Sequence, residues 1–448
     1  MDELLALAAA RAITYLRGNE SAPVFPSPEA IEALSGFVEA LPTHKTSPAD
    51  LLDQLDRLGS PATVRSSGGR YLGYVTGGAY PVAVGASWLS AAWDQNAAVG
   101  NMSPVAGVLD TVVGRWLIEL LGLGAGAQHQ FVAGTSAANV ACLAMGRDAL
   151  LAERGWDCAA NGLFGAPEIR VVVSEGAHSS IEKALGVVGL GRSRIVSVPA
   201  DDQGRLVASK LPEPGPATLV IAQAGNVNTG AMDPFDEIAD HFAGSMHWLH
   251  VDGAFGLWAA TSPATRDLVA GVERAHSWAT DMHKWLNTTY DAAVAIVHDP
   301  EAMLRTFHVG APYIADTARI EPLSRGIEMS QRARAIEVWA VLKSLGTSGV
   351  AEHTERLCGH AKRLAAALRD GGIEVVNDVE LNQVLIRLGD DTQTSVLLER
   401  IQRSETLWAG PTQWDDRPAI RLSVCSWATT DSDIDRIAAE ITGLSTTA

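Results

Sequence analysis

The chain has 448 residues, of which 47% are hydrophobic, and its 34 basic and 52 acidic side chains give a formal net charge of −18 at pH 7. This composition is enough for a large buried core and excludes a collagen-like or low-complexity chain. An acidic chain without a long basic run also argues against binding to nucleic acid or to an anionic membrane.

The four cysteines, Cys142, Cys158, Cys358 and Cys425, are scattered and form no CxxC pair. We therefore expect reduced thiols, with neither a zinc site nor a disulfide framework. The acidic N-terminus does not fit a signal peptide, and the most apolar stretch, residues 79–93, is too short to span a bilayer. We predict a cytoplasmic protein with no membrane contact and no metal site.

The chain begins with helical patterns. An amphipathic helix is predicted over residues 1 to about 20, and two more helices are predicted around 29–41 and 47–58. We expect this N-terminal helical segment, residues 1-65, to pack on the rest of the protein or on a partner subunit.

From residue 66 onward, short β-branched runs alternate with helical patterns. The predicted strands are 131–132, 170–174, 194–198, 218–222, 248–251 and 293–297. Several of them are apolar without alternation, which is typical of strands covered on both faces. The pattern predicts an α/β domain, residues 66-345, with a mostly parallel sheet flanked by helices and a closing helix over 331–345. Residues 346-448 mix helices with short strands and are predicted to form a small C-terminal α+β domain.

Two sites at the ends of predicted strands suit a charged ligand. Thr135 and Ser136 begin a helix after a strand, and the free N–H groups of such a helix bind anions, although an ordinary helix cap has the same pattern. Asp252 ends an apolar strand, where open α/β sheets place their ligands, and a structural salt bridge is the alternative.

Lys284 and His178 complete the set. Lys284 lies in an apolar segment between His283 and Trp285, and desolvation lowers the pKa of a lysine and leaves an amine that can attack a carbonyl. The alternative is a lysine that reaches out to solvent. His178 follows another strand, where a structural histidine is the alternative to a residue stacked on a ring. A helix start that can bind an anion, a histidine ring, a carboxylate and a desolvated lysine together match the needs of pyridoxal 5′-phosphate (PLP).

The motifs around these residues resemble the group II PLP-dependent amino-acid decarboxylase family, within the fold-type-I, aspartate aminotransferase superfamily. The matching runs are Ala177–Ala184, Gly225–Pro234, His250–Ala254 and His283–Asn287, and the resemblance covers roughly residues 60–430. It implies a fold-type-I PLP-dependent transferase-like architecture. It also implies a homodimer with active sites at the subunit interface.

The resemblance assigns roles residue by residue. It implies Lys284 as the Schiff-base lysine, Asp252 as the partner of the pyridine nitrogen, and His178 and Ala254 on the two faces of the ring. The remaining cofactor contacts that it implies are Thr135 and Ser136 at the phosphate, with Asp281 near them, Asn226 near the ring oxygen, and His283 beside the cofactor and the substrate carboxylate.

Substrate contacts are harder to assign. Trp93 and Asn96 are expected to reach the active site of the partner subunit, and Arg421 lies on a predicted C-terminal strand, with a structural role as its alternative. Many relatives carry a proton-donating tyrosine on a loop after the lysine. Our alignment puts Arg325 at that place, with Tyr313 at the wrong spacing. Either the loop is shifted in the alignment, or Arg325 binds an anionic group of the substrate and the proton donor differs.

The resemblance predicts PLP-dependent decarboxylation of an L-amino acid, possibly aromatic, to the amine. Other PLP chemistry at Cα is the alternative: oxidative decarboxylation-deamination to an aldehyde, Cα–Cβ cleavage as in a lyase or aldolase, or transamination. A catalytically silent binding module is the third possibility, and the intact Lys284, Asp252 and His178 argue against it.

Overall fold

The computed structural model describes residues 1–308 and 320–446. Their strands fall into two sheets. In chain order they are β1 (Gln128–Val132), β2 (Arg170–Ser174), β3 (Ile195–Val198), β4 (Thr218–Gln223), β5 (His247–Asp252), β6 (Ser277–Asp281), β7 (Ala293–Val297), β8 (Glu374–Val375), β9 (Gln383–Arg387), β10 (Gly410–Trp414) and β11 (Arg417–Ser423).

The first seven strands form one sheet in the order β1-β7-β6-β5-β4-β2-β3. The pairs from β6 through β3 are parallel, whereas β7 runs antiparallel to both of its neighbours, β1 and β6. Strand β1 therefore points the same way as β6, and every strand except β7 has its carboxyl end at one edge of the sheet. Strands β4, β6 and β7 are buried along their whole length, as expected for a sheet covered on both faces.

The α-helices of the described residues are joined by loops and short 3-10 turns. In chain order they are α1 (Asp2–Arg17), α2 (Pro28–Ala33), α3 (Pro48–Gly59), α4 (Pro81–Trp93), α5 (Pro104–Leu120), α6 (Thr135–Glu153), α7 (Cys158–Asn161), α8 (Ser179–Val187), α9 (Phe235–Phe242), α10 (Pro300–Phe307), α11 (Ala335–Asp370), α12 (Asp391–Arg403) and α13 (Asp431–Thr446).

Helix α6 is the central helix of the large sheet. It begins directly after the turn that follows β1, and most of its nineteen residues are buried or half-buried because the helix packs on β5, β6 and β7. Its apolar residues belong to one core cluster with those of β2, β4 and β7. The burial holds the first turn of α6 at the carboxyl edge of the sheet.

The described chain divides into two compact units. One contains residues 78–361 and 377–383 and holds the seven-stranded sheet, and the other contains residues 1–77, 362–376 and 384–448. The second unit therefore combines the N-terminal helices with the four-stranded sheet β10-β11-β9-β8. The predicted division into domains 1-65, 66-345 and 346-448 stays a prediction. The boundaries of the two compact units differ from those of the predicted domains.

The mostly parallel sheet with flanking helices agrees with the predicted α/β architecture. The predicted helix over 331–345 starts late, at Ala335, because the backbone N–H of Gln331 bonds to the Asn96 side chain and Arg332 bridges to Asn96 in an extended conformation. The helix then continues to Asp370 past a non-helical Gly346 with φ of 63°.

The N-terminal helices bury little of their own surface. Helices α1 and α2 contain no buried residue, and α3 contains one, Leu58. Within residues 1–308 and 320–446, the structure has no helix that is both long and apolar enough to cross a membrane.

Candidate active site

The predicted cofactor-binding residues of the large unit cluster at the carboxyl edge of its sheet. Asp252 is the last residue of β5, Asp281 is the last of β6, and Thr135 is the first of α6. Two hydrogen bonds join α6 to these strands: Thr135 N donates to Asp281 Oδ1 at 2.8 Å, and Asn139 Nδ2 donates to Asp252 Oδ2 at 2.8 Å. One turn of helix therefore connects the two carboxylates.

Lys284 lies three residues beyond the end of β6. Its Nζ is 3.1 Å from Asp281 Oδ2, and its side chain keeps about a quarter of its surface exposed. The ion pair fixes the position of the amine at the sheet edge. The partial exposure leaves it accessible to a ligand, as a nucleophilic lysine needs.

His283 and Tyr290 form an aromatic pair beside the lysine. Their ring centroids are 4.3 Å apart and their planes are tilted by 31°. Burial lowers the pKa of His283, although the charge of Asp281 opposes the shift. His283 Nδ1 accepts a hydrogen bond from Ala292 N at 3.2 Å, so the neutral ring carries its proton on Nε2, which faces Asp281 Oδ1 at 3.6 Å.

Asp252 is buried, with 7% of its surface exposed. Burial raises the pKa of its carboxyl, while the Asn139 hydrogen bond and the charges of Lys284 and His178 act in the opposite direction. Its other oxygen accepts from Ala254 N at 3.2 Å. Among the described residues, no side chain forms an ion pair with this carboxylate. A buried aspartate held by neutral donors suits a cationic ring nitrogen.

The start of α6 suits a phosphate. Thr135 Oγ1 is buried and has no hydrogen-bond partner within the described part of the chain. Ser136, the next residue of the helix, is exposed. A buried hydroxyl without a partner at a helix N-terminus fits an anionic group of the cofactor.

His178, Ala254 and Asn226 surround this edge. His178 is exposed and accepts from Ser180 N through Nδ1 at 3.2 Å, which caps α8 and fixes the ring. Ala254 is half-buried next to Asp252. Asn226 is buried, and its side chain donates to Gly176 O at 3.2 Å and accepts from Asn228 N at 2.9 Å. Asn226 thus ties the loop after β4 to the loop that carries His178.

The interpretation of Arg325 as a substrate-binding residue is not supported. Its guanidinium is buried, with 2% of the residue exposed, and forms an ion pair with Asp110. It also donates to His129 O at 2.9 Å, near the start of β1, whereas the site lies at the carboxyl edge. Because the guanidinium is buried between these partners, its charge stabilises the fold and does not face the site. Tyr313 lies outside the described residues.

Asn96 is also committed to the structure of its own chain. Its side-chain oxygen accepts from Ala98 N and Gln331 N, and its nitrogen donates to Ser330 Oγ. Trp93, at the end of α4, is exposed and stays a candidate for contact with a partner subunit. Arg421 belongs to the other compact unit, so its role stays a prediction.

Sequence reasoning missed Asn139, His250 and Tyr290. His250 precedes Asp252 by two residues on β5, so both side chains point to one face of the strand. Asn139 follows Thr135 by four residues on α6, which places both on one face of the helix. For His250 and Asn139, the signal available in the sequence was a polar residue at such a spacing within an otherwise apolar element. The described residues contain no cluster of three or more histidine, cysteine or acidic side chains arranged to hold a metal ion.

Comparisons with known proteins show the family of the chain. A family model described as the pyridoxal-dependent decarboxylase conserved domain matches residues 37–389. The chain is 26% identical to an aromatic-L-amino-acid decarboxylase of Bacillus atrophaeus, over 96% of this chain and 92% of that protein. It is 31% identical to a histidine decarboxylase of Drosophila melanogaster, over 74% of this chain and 42% of that protein.

The fold has close structural neighbours as well. The crystal structure of Oryza sativa TDC with PLP and tryptamine superposes with a TM-score of 0.91, covering 100% of this chain and 97% of that one at 21% identity. At this identity the likeness concerns the fold.

Proposed function

The chain belongs to the pyridoxal-dependent decarboxylase family, and on that premise we propose that Lys284, Asp252, His178 and Thr135 are the residues with which it binds PLP and converts an L-amino acid to its amine. The family makes the protein a PLP-dependent carboxy-lyase that acts on amino acids. The individual roles of the residues are our proposal.

One observation carries these roles. A lysine amine, a buried aspartate without an ion-pair partner among the described residues, and a helix N-terminus with an unbonded buried hydroxyl meet at one edge of the sheet. PLP has one group for each of them: an aldehyde, a ring nitrogen and a phosphate. When bound, it withdraws electrons from the bonds to the substrate Cα.

The protein residues would then divide the work. Lys284 would hold the aldehyde carbon, Asp252 would keep a proton on the ring nitrogen, and Thr135 would bind the phosphate with its hydroxyl. Asp281 contacts both Thr135 N and Lys284 Nζ and so orients the residues that would hold the phosphate and the aldehyde. His283, neutral and protonated on Nε2, offers a hydrogen-bond donor beside the lysine.

We propose a substrate with an aromatic side chain. The His283 and Tyr290 rings form an aromatic pair in which His283 is the neighbour of Lys284 in the chain, and Tyr290 is exposed at 61%. An aromatic side chain of a substrate would pack favourably against such an aromatic pair. The relatives named for aromatic amino acids and for histidine are consistent with this class.

The test is a product assay on cofactor-loaded protein with the common amino acids and dihydroxyphenylalanine, each with and without oxygen. We expect one CO₂ and one amine per turnover, independent of oxygen, with an aromatic substrate preferred. Lys284→Ala should abolish product and the visible absorption of the bound cofactor, whereas Lys210→Ala, at an exposed lysine, should change neither. An aldehyde that forms only with oxygen would contradict simple decarboxylation.

We do not propose a second activity. The oxidative alternative rests on the absence of the usual proton-donating tyrosine at the position that Arg325 has in our alignment, and the ion pair of Arg325 with Asp110 does not supply that tyrosine. The product assay with and without oxygen tests this alternative.

We propose that the protein is a homodimer. Helix α4 presents Trp88, Leu89 and Trp93 to solvent, each at least 42% exposed, and helix α5 presents Val105 and Val108. An apolar face of this extent is typical of a subunit interface. The uncovered helices α1 and α2 of the other unit support the same proposal.

Light scattering coupled to size-exclusion chromatography tests the assembly. We expect twice the 47.2 kDa chain mass for the wild type. Leu89→Glu should shift the mass toward the monomer, and Phe164→Glu, at a fully exposed apolar residue away from α4, should leave the dimer intact. A monomeric wild type would contradict the proposal. We also propose a cytoplasmic location, which cell fractionation tests.

A further inference from the structure

Behind Asp252, a continuous chain of buried polar side chains leads away from the cofactor site. Asn139 Oδ1 is 3.0 Å from His250 Nε2, and His250 Nδ1 is 2.9 Å from Ser277 Oγ. Ser277 Oγ in turn accepts from Trp248 Nε1 at 2.9 Å. With the Asn139 bond to Asp252, four hydrogen bonds connect a tryptophan on β5 to the carboxylate at the end of the same strand.

The direction of these bonds follows from the two ends of the chain. The Trp248 indole can only donate, and an ionised Asp252 can only accept. If Asn139 donates to Asp252, its Oδ1 must accept from His250, which requires a proton on Nε2. Nδ1 then accepts from the Ser277 hydroxyl, and the Ser277 oxygen accepts from Trp248. In this direction every donor has an acceptor.

The opposite direction leaves one proton poorly placed. If Asp252 were protonated and Asn139 turned its amide over, His250 would carry its proton on Nδ1 and donate to Ser277. The Ser277 oxygen would then accept from both His250 and Trp248, and its own proton would have the Cys142 thiol, a weak acceptor, as a neighbour. The arrangement therefore favours the ionised form of Asp252.

The surroundings keep His250 in the neutral form that this direction needs. His250 is fully buried, and burial lowers its pKa to about 3. Asn139 is fully buried too. A buried network in which every group is bonded is rigid, because any rearrangement costs a hydrogen bond.

We infer that Asn139 and His250 are positioning residues: through the Nε2–H tautomer of His250 they fix the Asn139 amide so that it donates to Asp252 and holds that carboxylate ionised toward the ring nitrogen of the cofactor. The inference rests on the proposed role of Asp252 and extends it to residues that do not touch the cofactor themselves.

The variants separate hydrogen-bond direction from bulk. His250→Leu removes both bonds, whereas His250→Gln keeps an acceptor and a donor with a similar separation and can restore the same direction. Asn139→Leu removes the donor to Asp252 by an independent route. His276→Leu is the matched control: His276 stacks on Trp248 with centroids 5.3 Å apart, but it makes no hydrogen bond to Asn139, His250 or Ser277.

The direct readout is the ¹⁵N resonance of ring-labelled PLP bound to each protein, which reports whether the ring nitrogen is protonated. Cofactor affinity and the separate values of kcat and KM accompany it. We expect a protonated nitrogen in the wild type, His250→Gln and His276→Leu. In His250→Leu and Asn139→Leu we expect a shift toward the unprotonated signal and a fall in kcat of roughly tenfold or more, the effect of about one pKa unit, with little change in KM.

The outcomes distinguish the two levels of the argument. An unprotonated nitrogen in the wild type would overturn the proposed role of Asp252 and the inference with it. A protonated wild type with an unchanged signal in His250→Leu and Asn139→Leu would overturn the inference alone. A His250→Gln variant that behaves like His250→Leu would also overturn it, because direction would then not be the property that matters. If His250→Leu does not fold, Asn139→Leu and His250→Gln still decide the question.

Discussion

Two buried aspartates in the large unit have different kinds of partner: those of Asp110 include a cation, and those of Asp252 are neutral donors. Asp110, on α5, contacts the guanidinium of Arg325 and lies 3.3 Å from His129 Nε2, and these partners hold the pKa of its carboxyl well below the usual range despite the opposing effect of burial. Asp252 receives hydrogen bonds from Asn139 and from a backbone N–H, both neutral, and burial raises its pKa.

The difference separates a structural carboxylate from the one that we propose as the partner of the cofactor. The charge of Asp110 is already balanced within the fold, and nothing remains for a ligand to add. The two donors orient the Asp252 carboxylate. No side chain among the described residues forms an ion pair with it, so its negative charge is not balanced by a direct contact. Such a group gains most from a cationic ligand, which is the property that the cofactor's partner requires.

The largest expected effect comes from neutralising Asp252. Asp252→Asn should lower kcat/KM by about 10³-fold, which corresponds to about 4 kcal/mol of transition-state stabilisation, because an amide cannot hold the ring nitrogen protonated. Steady-state kinetics on cofactor-saturated protein measures it. Asp110→Asn, corrected for the folded fraction, should stay within about threefold of the wild type, and equal losses in both variants would erase the distinction.

Asp110 should dominate stability instead. Asp110→Asn leaves the buried Arg325 charge without its partner, and breaking such a pair costs about 3–5 kcal/mol. Urea unfolding of the cofactor-free protein measures the free energy of unfolding. The double variant Asp110→Leu with Arg325→Met replaces the pair by apolar side chains and should recover most of the loss. A double variant no better than the single one would show that the pair is not the cause.

The two aspartates should also respond to pH with opposite signs. The pKa of Asp110 is lowered on folding, so its contribution is present above the unfolded pKa and is lost as pH falls through the folded value. The pKa of Asp252 is raised in the cofactor-free protein, so ionising it at higher pH costs stability, about 1.4 kcal/mol for each pKa unit.

Melting curves of cofactor-free variants from pH 8 to pH 5 test this. Asp252→Asn should be more stable than the wild type at pH 8, and the gain should shrink as pH falls. The deficit of Asp110→Asn should stay nearly constant over the same range. Parallel curves for both variants would contradict the assignment.

The smallest effect is expected at the far end of the network. Ser277→Ala removes the donor to His250 and the acceptor of Trp248, and should lower the free energy of unfolding by about 1 kcal/mol for each bond. Cofactor affinity should fall by less than in His250→Leu, because His250 Nε2 and Asn139 remain in place although the bond that helps to set the His250 tautomer is lost. A loss of affinity as large as that of His250→Leu would mean that Ser277 alone sets the direction of the network.

The sequence predicted the architecture because burial on both faces of a sheet leaves a readable mark. The apolar runs 170–174 and 293–297 coincide with β2 and β7. Strand β6 was missed because its residues Ser277, Thr280 and Asp281 are polar. The Ser277 and Asp281 side chains form hydrogen bonds inside the large unit and Thr280 is buried, so a local pattern of hydrophobicity does not reveal the strand.

The site was predictable where chemistry is tied to a strand end, and less so where it depends on packing. Asp252, Lys284 and Thr135 were found from their places after apolar runs. Asn139 was not, because its function depends on which side of α6 faces β5. Arg325 was misread because its partner, Asp110, lies 215 residues away in the chain. No local spacing indicates a pairing over such a distance.

The first turn of α6 sets a length constraint on this family of sites. Thr135 and Asn139 lie four residues apart on one helix. They donate hydrogen bonds to the carboxylates at the ends of two different strands, β6 and β5. Each residue of a helix adds about 1.5 Å and a rotation of roughly 100°. A single insertion or deletion between them would turn one group away from its carboxylate. Because both bonds depend on the four-residue spacing, the number of residues in this turn cannot change without the loss of one of them.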